Sequence, residues 1–591
     1  MYPDLRAFID DLERRGQLVR VKTEVDPSQE ITVIQHRVIA AGGPALLFEN
    51  VKGSPYRVVS NLFGTYQRVV LACGEDPLVL GERLARVVHQ LMPPSLVNLW
   101  RARKDLLRLL RTRLRNVSSG PVLQTREEPA DLNRLPVLTC WPEDGGPFFT
   151  WPLVHTTDPA TGQGNLGIYR LQRFDRSSTG MHWQIERGGG FHFYTATQKE
   201  QPLPVSVILG GPPALTIAAV SPLPEGVDER LMAAYLMRKP LPVIKRPNTG
   251  HRIPAAAEFV LEGTVTPGDM RREGPFGDHF GHYSAAADYP VFRVERVLAR
   301  KDAIYPATVV GKPVQEDYYI GEALQALTVP MLKQIKPAIK NLWAYPETGF
   351  HALAVMAVQE RYPREALKYT LSLLGEGHVS MTKVMVTVDA DVDVRNFRAV
   401  STALWRHLAP EGIHVLSPTA QDTLDFTGPA MNTGSRLIML ATKGDGLPIR
   451  REAPPPPISV TDVHLQVREA VAIGPAFLML KVAEGFNDLK ALKEALRRHA
   501  AAGRYLFHVL VSEDVDMKDP IMRLWGWFTR FDPAADLYPA ERRIQGNRVV
   551  FDFPILIDAR WKKGYPQPVE FDPSVAKRVD ERWGSYGIPV D

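Results

Sequence analysis

The sequence predicts a mixed α/β protein, α+β in its layout, built from several domains. Three observations predict this class: strand-like and helix-like segments alternate near the start, the middle is rich in glycine, proline and short strand-like runs, and a strand–helix–strand–helix pattern occurs twice near the end. At 591 residues the chain is too long for a single hydrophobic core. We expect five segments, at 1–120, 121–315, 316–345, 346–450 and 451–591.

The N-terminal segment, 1–120, reads as an α/β domain. Asp4 is placed to cap a helix that Gly16 ends, and the apolar face of this helix is formed by Leu5, Phe8, Ile9 and Leu12. The elements that follow are a strand over 18–21, a helix over 30–41 and a strand over 45–49.

A basic amphipathic helix is predicted over 101–115. Its arginines lie apart from a face formed by Leu106, Leu107, Leu110 and Leu114. Two interpretations stay open: a surface helix packed on the protein by its leucines, and a helix that binds a membrane surface or another anionic partner. We favour packing by the leucines.

Residues 121–315 are expected to form a β-rich domain, either a barrel or a sandwich. Strand-like runs at 203–210 and 214–220 lie close together among frequent glycines and prolines. Residues 320–342 then read as a helix interrupted by prolines, within a bridging segment at 316–345.

The C-terminal part contains an internal repeat. The similar pairs are 352–371 with 476–496, and 384–394 with 507–517. Each copy predicts the alternation of an open α/β sheet, and the proline-rich stretch 443–459 is expected to link the two copies. Lys383 precedes a strand in the first copy where the second has Leu506 or Phe507, so we expect that one copy has lost a ligand-binding residue.

Composition predicts a cytoplasmic protein. Hydrophobic residues make up 45% and charged residues 23% of the chain, as in ordinary globular proteins. The formal net charge of +5 is small for this length and gives no ground to expect nucleic-acid binding. Two distant cysteines, Cys73 and Cys140, exclude a disulfide scaffold, and we expect neither a signal peptide nor a membrane span.

Glu273 and Asp278 lie in the stretch 261–283, separated by Gly-Pro-Phe-Gly. Proline and glycine favour a turn here, and a turn is able to aim both carboxylates into one cavity. One carboxylate could then stay ionised beside a cation while the other is held protonated, as acid/base catalysis requires. Taken alone, the stretch is explained better as an ordinary polar turn.

A second group of polar residues lies upstream. Asn165 is in a strand-like run, His182 follows 17 residues later, and Arg187 directly precedes three glycines (188–190) that suit a phosphate nest. The amide oxygen of Asn165, an imidazole nitrogen of His182 and the carboxylate of Glu229 would together suit a hard divalent ion beside a phosphate. The simpler interpretations are a packed core histidine, a flexible hairpin and a carboxylate favoured by a helix N-terminus, and spacing alone does not decide between them.

Several motifs make the chain resemble the UbiD-type decarboxylases, which use prenylated FMN to remove carboxylate groups from unsaturated or aromatic acids. The motifs are NLGIYR (165–170), LEGTVTPGDM (261–270), EGPFGDHFGHY (273–283) and LDFTGPAMNTGSRL (424–437). The pair NLGIYR and EGPFGD in this order is highly specific. The resemblance implies a split β-barrel of the flavin-reductase type at 121–315, in a longer member of the family similar to those of menaquinone biosynthesis.

The resemblance also implies roles for individual residues. Arg170, Glu273 and Asp278 match the catalytic triad of the family, with Asp278 as the proton donor. The residues that match manganese ligands are Asn165, His182 and Glu229, and family members also bind K⁺ nearby. The positions that match the flavin site are Asn165, Ile168, Tyr169, Arg170, His182, Trp183, Gln184, Arg187 and Gly188, together with Lys383 at the cofactor phosphate.

The resemblance thus implies a carboxy-lyase that acts on a hydroxynaphthoate or hydroxybenzoate of quinone biosynthesis through a covalent adduct with prenylated FMN. The expected partners are a flavin prenyltransferase that supplies the cofactor and further copies of the chain, in a homodimer or larger homo-oligomer, with peripheral membrane association as a further option. Two alternatives remain: a flavin-dependent oxidoreductase on a similar barrel, and a protein that binds anionic surfaces through the helix at 101–115.

Overall fold

The computed structural model describes residues 1–91, 95–184, 188–224, 226–443, 455, 458 and 466–589. The chain folds into two compact units, which are Met1–Leu327 with Gln567–Asp591 (unit 1) and Thr328–Pro566 (unit 2). Helices and sheets alternate through both units, so the predicted mixed α/β class is confirmed. The finer division into five segments stays a prediction.

Unit 1 begins with a small sheet and its covering helices. The strands are β1 (Leu18–Val21), β2 (Ala45–Phe48) and β3 (Arg57–Ser60), and Ile304–Pro306 pairs parallel with β3. The first helix is capped as expected, because the carboxylate of Asp4 accepts a hydrogen bond from the N–H of Ala7 at 2.8 Å. The helices are α1 (Leu5–Arg14), α2 (Glu30–Ala40), α3 (Tyr66–Cys73), α4 (Pro77–Gln90), α5 (Leu96–Arg101) and α6 (Arg103–Arg111).

The single helix predicted over 101–115 is wrong in its bounds. Helix α5 ends at Arg101, α6 ends at Arg111, and β4 (Leu114–Asn116) then pairs parallel with Leu241–Lys245. The backbone after Thr112 gains hydrogen bonds from a strand distant in sequence, and this tertiary pairing overrides the helical pattern of the leucines.

An antiparallel sheet forms the centre of unit 1. The strands after β4 are β5 (Thr125–Glu127), β6 (Phe148–Phe149), β7 (Leu153–Thr157), β8 (Gly164–Ile168), β9 (Leu171–Gln172), β10 (Ser178–Gly180), β11 (Leu203–Leu209), β12 (Leu241–Lys245), β13 (Arg252–Pro254), β14 (Phe259–Glu273), β15 (Phe276–Gly277), β16 (Tyr283–Ser284), β17 (Ala287–Ala299) and β18 (Ile304–Pro306). The central order is β10-β17-β14-β11-β7-β8, with β5 also on β17. Within the described ranges this path is open, so closure into a split barrel stays a prediction.

Four helices accompany this sheet and correct two expectations. They are α7 (Gly188–Gln198), α8 (Pro213–Ala219), α9 (Glu229–Met237) and α10 (Glu316–Ile335). The strand predicted at 214–220 is the helix α8, all of whose side chains are buried. A fully apolar run fits a buried strand and a buried helix equally well, and Pro213 at the first helical position favours the helix. The helix predicted to reach residue 342 ends at Ile335.

Unit 2 contains two sheets of the same topology. The first has β19 (Ile339–Ala344), β20 (Leu353–Val358), β21 (Val384–Asp389), β22 (Ile413–Ala420) and β23 (Thr433–Ala441), with α11 (Glu365–Leu373) and α12 (Phe397–His407). The second has β24 (Val467–Ile473), β25 (Phe477–Val482), β26 (Phe507–Val511), β27 (Leu537–Pro539) and β30 (Ile555–Asp558), with α13 (Leu489–Arg498) and α14 (Pro520–Phe528). The hairpin β28 (Arg542–Gln545) and β29 (Arg548–Phe551) stands apart.

The two sheets of unit 2 repeat one another strand by strand. The orders are β19-β20-β21-β23-β22 and β24-β25-β26-β30-β27, each with two parallel pairs between two antiparallel ones. The copies share an aromatic core, in which Phe397 of the first copy stacks on Phe477 of the second at 5.6 Å between ring centroids. Most of the proline-rich linker predicted at 443–459 lies outside the described residues.

Candidate active site

Arg170 contacts two buried acids that come from distant parts of the chain. Its Nε donates a hydrogen bond to Oε1 of Glu273 at 3.2 Å, and its Nη1 donates to Oδ2 of Asp278. Arg170 is 9% exposed, Asp278 8% and Glu273 fully buried. The guanidinium also lies 4.9 Å from the centre of the Phe276 ring. These three charged side chains therefore meet in one desolvated place, where charge interactions are strong.

The chain between the two acids bends because of its glycines and proline. Strand β14 ends at Glu273, and Gly274 follows with φ +94°, a value that favours glycine. Strands β15 and β16 then form a hairpin around Asp278, whose N–H donates to the carbonyl of His282 at 3.2 Å. The predicted turn thus delivers both carboxylates to Arg170.

The C-terminal tail holds this hairpin from the other side. The N–H of Tyr283 donates to the carbonyl of Gln567, and the N–H of Val569 donates to the carbonyl of Gly281, both at 3.0 Å. A Cβ placed on Gly277 would lie 2.8 Å from Val569 and closer still to Trp141, so only glycine fits between them. The tail continues as α15 (Pro573–Arg582).

Asp278 is held in its ionised form. Burial by itself would raise the pKa of this carboxyl, but the hydrogen bond from His279 and the charge of Arg170 outweigh burial and keep the pKa well below its usual range. The contact with His279 is doubled, since its backbone N–H and its Nδ1 lie 2.7 and 2.9 Å from Oδ1 of Asp278. The His279 side chain is 26% exposed and so connects the buried acid to solvent.

His182 lies against Glu273 and presents one free ring nitrogen. Its Nδ1 is 2.9 Å from Oε1 of Glu273, while its Nε2 is buried without a hydrogen-bond partner in the described part of the chain. Burial and the charge of Arg170 lower the pKa of His182, although Glu273 opposes them. Because a carboxylate oxygen accepts, the neutral ring carries its proton on Nδ1 and offers the Nε2 lone pair. A histidine oriented by a carboxylate in this way is typical of metal ligands.

Asn165 and Glu229 are joined through neighbouring backbone. Oε2 of Glu229, the first residue of α9, accepts from the N–H of Leu166 at 2.7 Å. Burial raises the pKa of Glu229 to about 7, a cost that a bound cation would remove. The side-chain nitrogen of Asn165 is buried without a partner among the described residues. No three His, Cys, Asp or Glu side chains in the described ranges are arranged to hold a metal, so an ion here would require the Asn165 oxygen.

Several of the residues predicted to bind the flavin contact one another or their neighbours. The hydroxyl of Tyr169 accepts from the N–H of Gly189 at 3.0 Å, and its ring meets that of Trp183 edge-on at 5.1 Å. A Cβ on Gly188 would lie 2.1 Å from Oδ1 of Asn165, so the start of α7 approaches that side chain as only glycine permits. Ile168 and Gln184, which are adjacent in sequence to Tyr169 and Trp183, are half-buried. Arg187 lies outside the described residues.

These features fit a flavin phosphate and a divalent ion. A phosphate with a bound metal ion would use four features of this region. They are the buried Nε2 of His182, the buried amide of Asn165, the buried carboxyl of Glu229 with its raised pKa, and the glycine-rich N-terminus of α7. Asn165 lies in β8, Glu229 and Gly188 contact that strand, and the strand leads directly to Arg170. His182 is connected to Arg170 through Glu273, which both side chains contact.

Lys383 belongs to unit 2, where it forms a buried ion pair. Its Nζ lies 2.9 Å from Oδ2 of Asp425, and the lysine is 1% exposed. The ring of Phe531, from the second copy, lies 5.4 Å from the same Nζ. Its proposed contact with a cofactor phosphate stays a prediction.

Sequence reasoning missed three residues that serve this site. His279 bonds to Asp278, and Val569 supports Gly277. Gln172 holds the bend, because its amide oxygen accepts from the N–H of Gly274 at 2.7 Å and its Nε2 donates to the carbonyl of Gly145 at 2.6 Å. Only His279 carried a signal, since it directly follows a candidate acid in the motif.

The chain belongs to the UbiD family. Family models described as the N-terminal, Rift-related and C-terminal domains of 3-octaprenyl-4-hydroxybenzoate carboxy-lyase match residues 9–88, 115–313 and 318–441. The protein is therefore a carboxy-lyase of the UbiD type. The matched residues end with the first α/β copy of unit 2.

Relatives and solved structures agree with this assignment. A protein of Chlamydia pneumoniae, named as one of the subunits of a 4-hydroxybenzoate decarboxylase, is 40% identical over 588 residues, 98% of each chain. The closed vanillic acid decarboxylase of Sedimentibacter hydroxybenzoicus has a TM-score of 0.66 at 26% identity, covering 78% of this chain and 95% of its own. An evolved dimeric form of the UbiD-class enzyme HmfF from Pelotomaculum thermopropionicum, in complex with prFMN, has a TM-score of 0.60 at 26% identity, with 77% and 97% covered.

Helix length and polarity also bear on membrane insertion. Across the described ranges, no helix combines the length and the apolar character that crossing a bilayer requires.

Proposed function

We propose that the protein decarboxylates a hydroxylated aromatic acid with prenylated FMN as its cofactor. The observation that carries the proposal is the buried contact of Arg170 with both Glu273 and Asp278. The flavin bound in the neighbouring HmfF structure supports the cofactor. A flavin oxidoreductase would have no evident need for two acids on one arginine.

The cofactor would be held beside β8 and the start of α7. The residues proposed to bind the flavin are Asn165, Ile168, Tyr169, Arg170, His182, Trp183, Gln184, Arg187 and Gly188, with Lys383 at its phosphate. Nε2 of His182, the amide oxygen of Asn165 and the carboxylate of Glu229 are proposed to hold Mn²⁺, or another divalent ion, against that phosphate. K⁺ is proposed as a second ion nearby.

The protein's own residues would control charge and protons. When bound, prenylated FMN supplies an electrophilic ring that accepts the electron density left behind as carbon dioxide departs. Arg170 holds both acids in position and keeps negative charge tolerable in the buried site. After carbon dioxide leaves, one proton has to reach the carbon that carried it, and Asp278 is proposed to deliver it. Since Asp278 rests in its ionised form, it has to take up a proton first, and His279 offers the route from solvent.

We propose a hydroxybenzoate or a hydroxynaphthoate as the substrate, within quinone biosynthesis. The name of the chlamydial relative supports the hydroxybenzoate. The duplicated α/β unit, which makes the chain resemble the longer members of menaquinone biosynthesis, supports the hydroxynaphthoate. A homodimer or larger homo-oligomer in the cytoplasm, charged with cofactor by a flavin prenyltransferase, is the form we expect to be active.

The test is production together with a flavin prenyltransferase, followed by turnover assays. We expect the purified protein to carry prenylated FMN and to release carbon dioxide from at least one acid of a hydroxybenzoate and hydroxynaphthoate panel. Asp278→Asn should retain the flavin and lose about 100-fold or more in kcat. Flavin-loaded protein that decarboxylates none of these acids, or that oxidises a nicotinamide cofactor instead, would overturn the proposal.

A further inference from the structure

Helices α5 and α6 expose an unusual number of large apolar side chains. We call this the α5–α6 surface; its exposed apolar members are Leu96, Val97, Leu99, Trp100, Leu107, Leu109 and Leu110. Leu96 is 86% exposed, Leu110 72% and Trp100 64%. Single exposed leucines are ordinary, but seven such residues within 15 positions form a patch that marks an interaction site.

An arginine attaches α6 to unit 1. Arg108 is 9% exposed, its Nη1 lies 2.7 Å from Oε1 of Glu75, and its Nε and Nη2 donate to the carbonyl of Tyr235 at 3.3 and 3.2 Å. Its guanidinium also stacks 4.1 Å from the centre of the Tyr235 ring. Packing by the leucines, the interpretation favoured from sequence, is therefore only partly right. Leu106 is half-buried and Leu114 packs against the core of unit 1, but Leu107 and Leu110 are turned to the outside.

The same segment carries the chain's excess positive charge. Residues 95–116 contain seven lysines and arginines and one acid, Asp105, so their net charge is +6, while that of the whole chain is +5. Six of the cations are exposed: Arg101, Arg103, Lys104, Arg111, Arg113 and Arg115. Exposed apolar residues rimmed by cations are the composition of helices that lie in the interface of a bilayer.

The charge and the apolar residues together select one partner. A second copy of the chain would place the same cations against each other across a two-fold interface, which is unfavourable. A nucleic acid would satisfy the cations but would leave Leu96 and Leu110 in water. An anionic lipid surface satisfies both, since its headgroups neutralise the cations and its acyl boundary takes up the leucines.

We propose that the α5–α6 surface docks the protein on anionic lipid membranes. Trp100, with Arg103 stacked 3.9 Å from its ring centre, would lie at the headgroup level, where amphipathic aromatic side chains are favoured. Docking would leave the protein peripheral, with the helices in the plane of the membrane. This proposal does not depend on the identity of the substrate.

The test is co-sedimentation of the full-length protein with vesicles of phosphatidylglycerol and, separately, of phosphatidylcholine. We expect binding to the anionic vesicles alone, weakening as salt is raised. Arg101→Ala with Lys104→Ala should lower the partition constant about fivefold for each cation removed. Leu96→Ser with Leu110→Ser should lower it about tenfold for each leucine. The matched control is Ile544→Ser, which removes an 80% exposed apolar side chain from a hairpin of unit 2 and should leave binding unchanged.

Three results would overturn the proposal. The first is no binding to phosphatidylglycerol vesicles by protein whose thermal melting is intact. The second is a decrease in oligomer mass, measured by analytical ultracentrifugation, when the two leucines are changed while vesicle binding stays the same, because the surface would then join copies of the chain. The third is that the protein does not bind vesicles but binds a DNA oligonucleotide in a salt-sensitive way, and that this DNA binding is unchanged when the two leucines are replaced. Decarboxylation assayed in parallel without vesicles keeps this proposal separate from the proposed function.

Discussion

Replacing Arg170 by methionine removes the only guanidinium described between Glu273 and Asp278 and so tests the charge balance of the site. Methionine keeps an unbranched apolar stem in place of the arginine stem but leaves two buried carboxylates without their shared counter-charge. Breaking a buried ion pair by removing one partner costs about 3–5 kcal/mol of unfolding free energy. We expect a loss of this size near pH 7.5, together with loss of decarboxylation.

The pKa of Asp278 determines how the stability loss of Arg170→Met changes with pH. In the native protein the pKa of Asp278 is depressed, so its stabilising contribution is present above the unfolded value of 3.8 and is lost as the pH falls. Without Arg170, burial raises the pKa of this carboxyl and only His279 opposes it. The variant then binds protons more readily when folded, so its deficit should shrink as the pH is lowered from 7.5 towards 5.

The assay is urea unfolding of both proteins at several pH values, followed by tryptophan fluorescence. Arg246→Met is the control, because Arg246 pairs at 2.6 Å with the fully buried Glu262 of β14, an acid outside the ion pairs of Arg170 that keeps a second cation, Arg296, at 3.5 Å. The control should lose stability and keep decarboxylation. Equal stability of Arg170→Met and the native protein at pH 7.5, or a deficit that does not change with pH, would refute the reasoning.

Three further changes probe the rest of the site. His279→Phe removes the side-chain hydrogen bond and the charge of His279, which lower the pKa of Asp278, and keeps the backbone N–H, so the limb of the pH–kcat/KM profile set by this acid should move to higher pH. Gly188→Ala places a Cβ 2.1 Å from Oδ1 of Asn165 and should weaken flavin retention at least about tenfold in equilibrium dialysis, while Gly584→Ala, which meets nothing within 4 Å, should not. Glu229→Gln should abolish the rise in melting temperature that Mn²⁺ gives the native protein, and a rise of unchanged size would contradict its proposed role.

Local signals in the sequence were enough for some elements. The cap at Asp4 follows from one short polar side chain before an apolar helical pattern, and the repeat of unit 2 follows from self-similarity alone. Where tertiary packing determines the local structure, prediction from the sequence failed. The run at 214–220 contains Thr216 as its single polar residue, which is too little to distinguish a helical period from a strand period. The orientation of α6 depends on the contact of Arg108 with Glu75, which lies 33 residues away in sequence.

The candidate site shows the same division. Spacing could not predict that Arg170 meets acids 103 and 108 residues further on. Strands β8 and β14 are separated by β11 and β7 in the sheet, so the contact depends on the tertiary fold and not on neighbouring strands. The resemblance to the family predicted that the three residues act together, but it did not predict their charge states. The ionised state of Asp278 depends on the charge of Arg170 and on His279, whose ring nitrogen lies 2.9 Å from Oδ1.

The tail explains how a second α/β copy was compatible with this site. The family match ends at residue 441, the second sheet begins at Val467, and the chain returns to unit 1 at Gln567. There it pairs at once with the hairpin of Asp278 and is anchored further on, where Arg582 and the hydroxyl of Tyr586 both contact Oε1 of Glu30 at 2.6 Å. Arg170, both acids, His182 and their support from the tail therefore all belong to unit 1. An added copy within unit 2 lengthens the chain between Leu327 and Gln567 and leaves in place the contacts that hold the residues proposed to transfer protons, and this is why we propose that proton transfer takes place in unit 1.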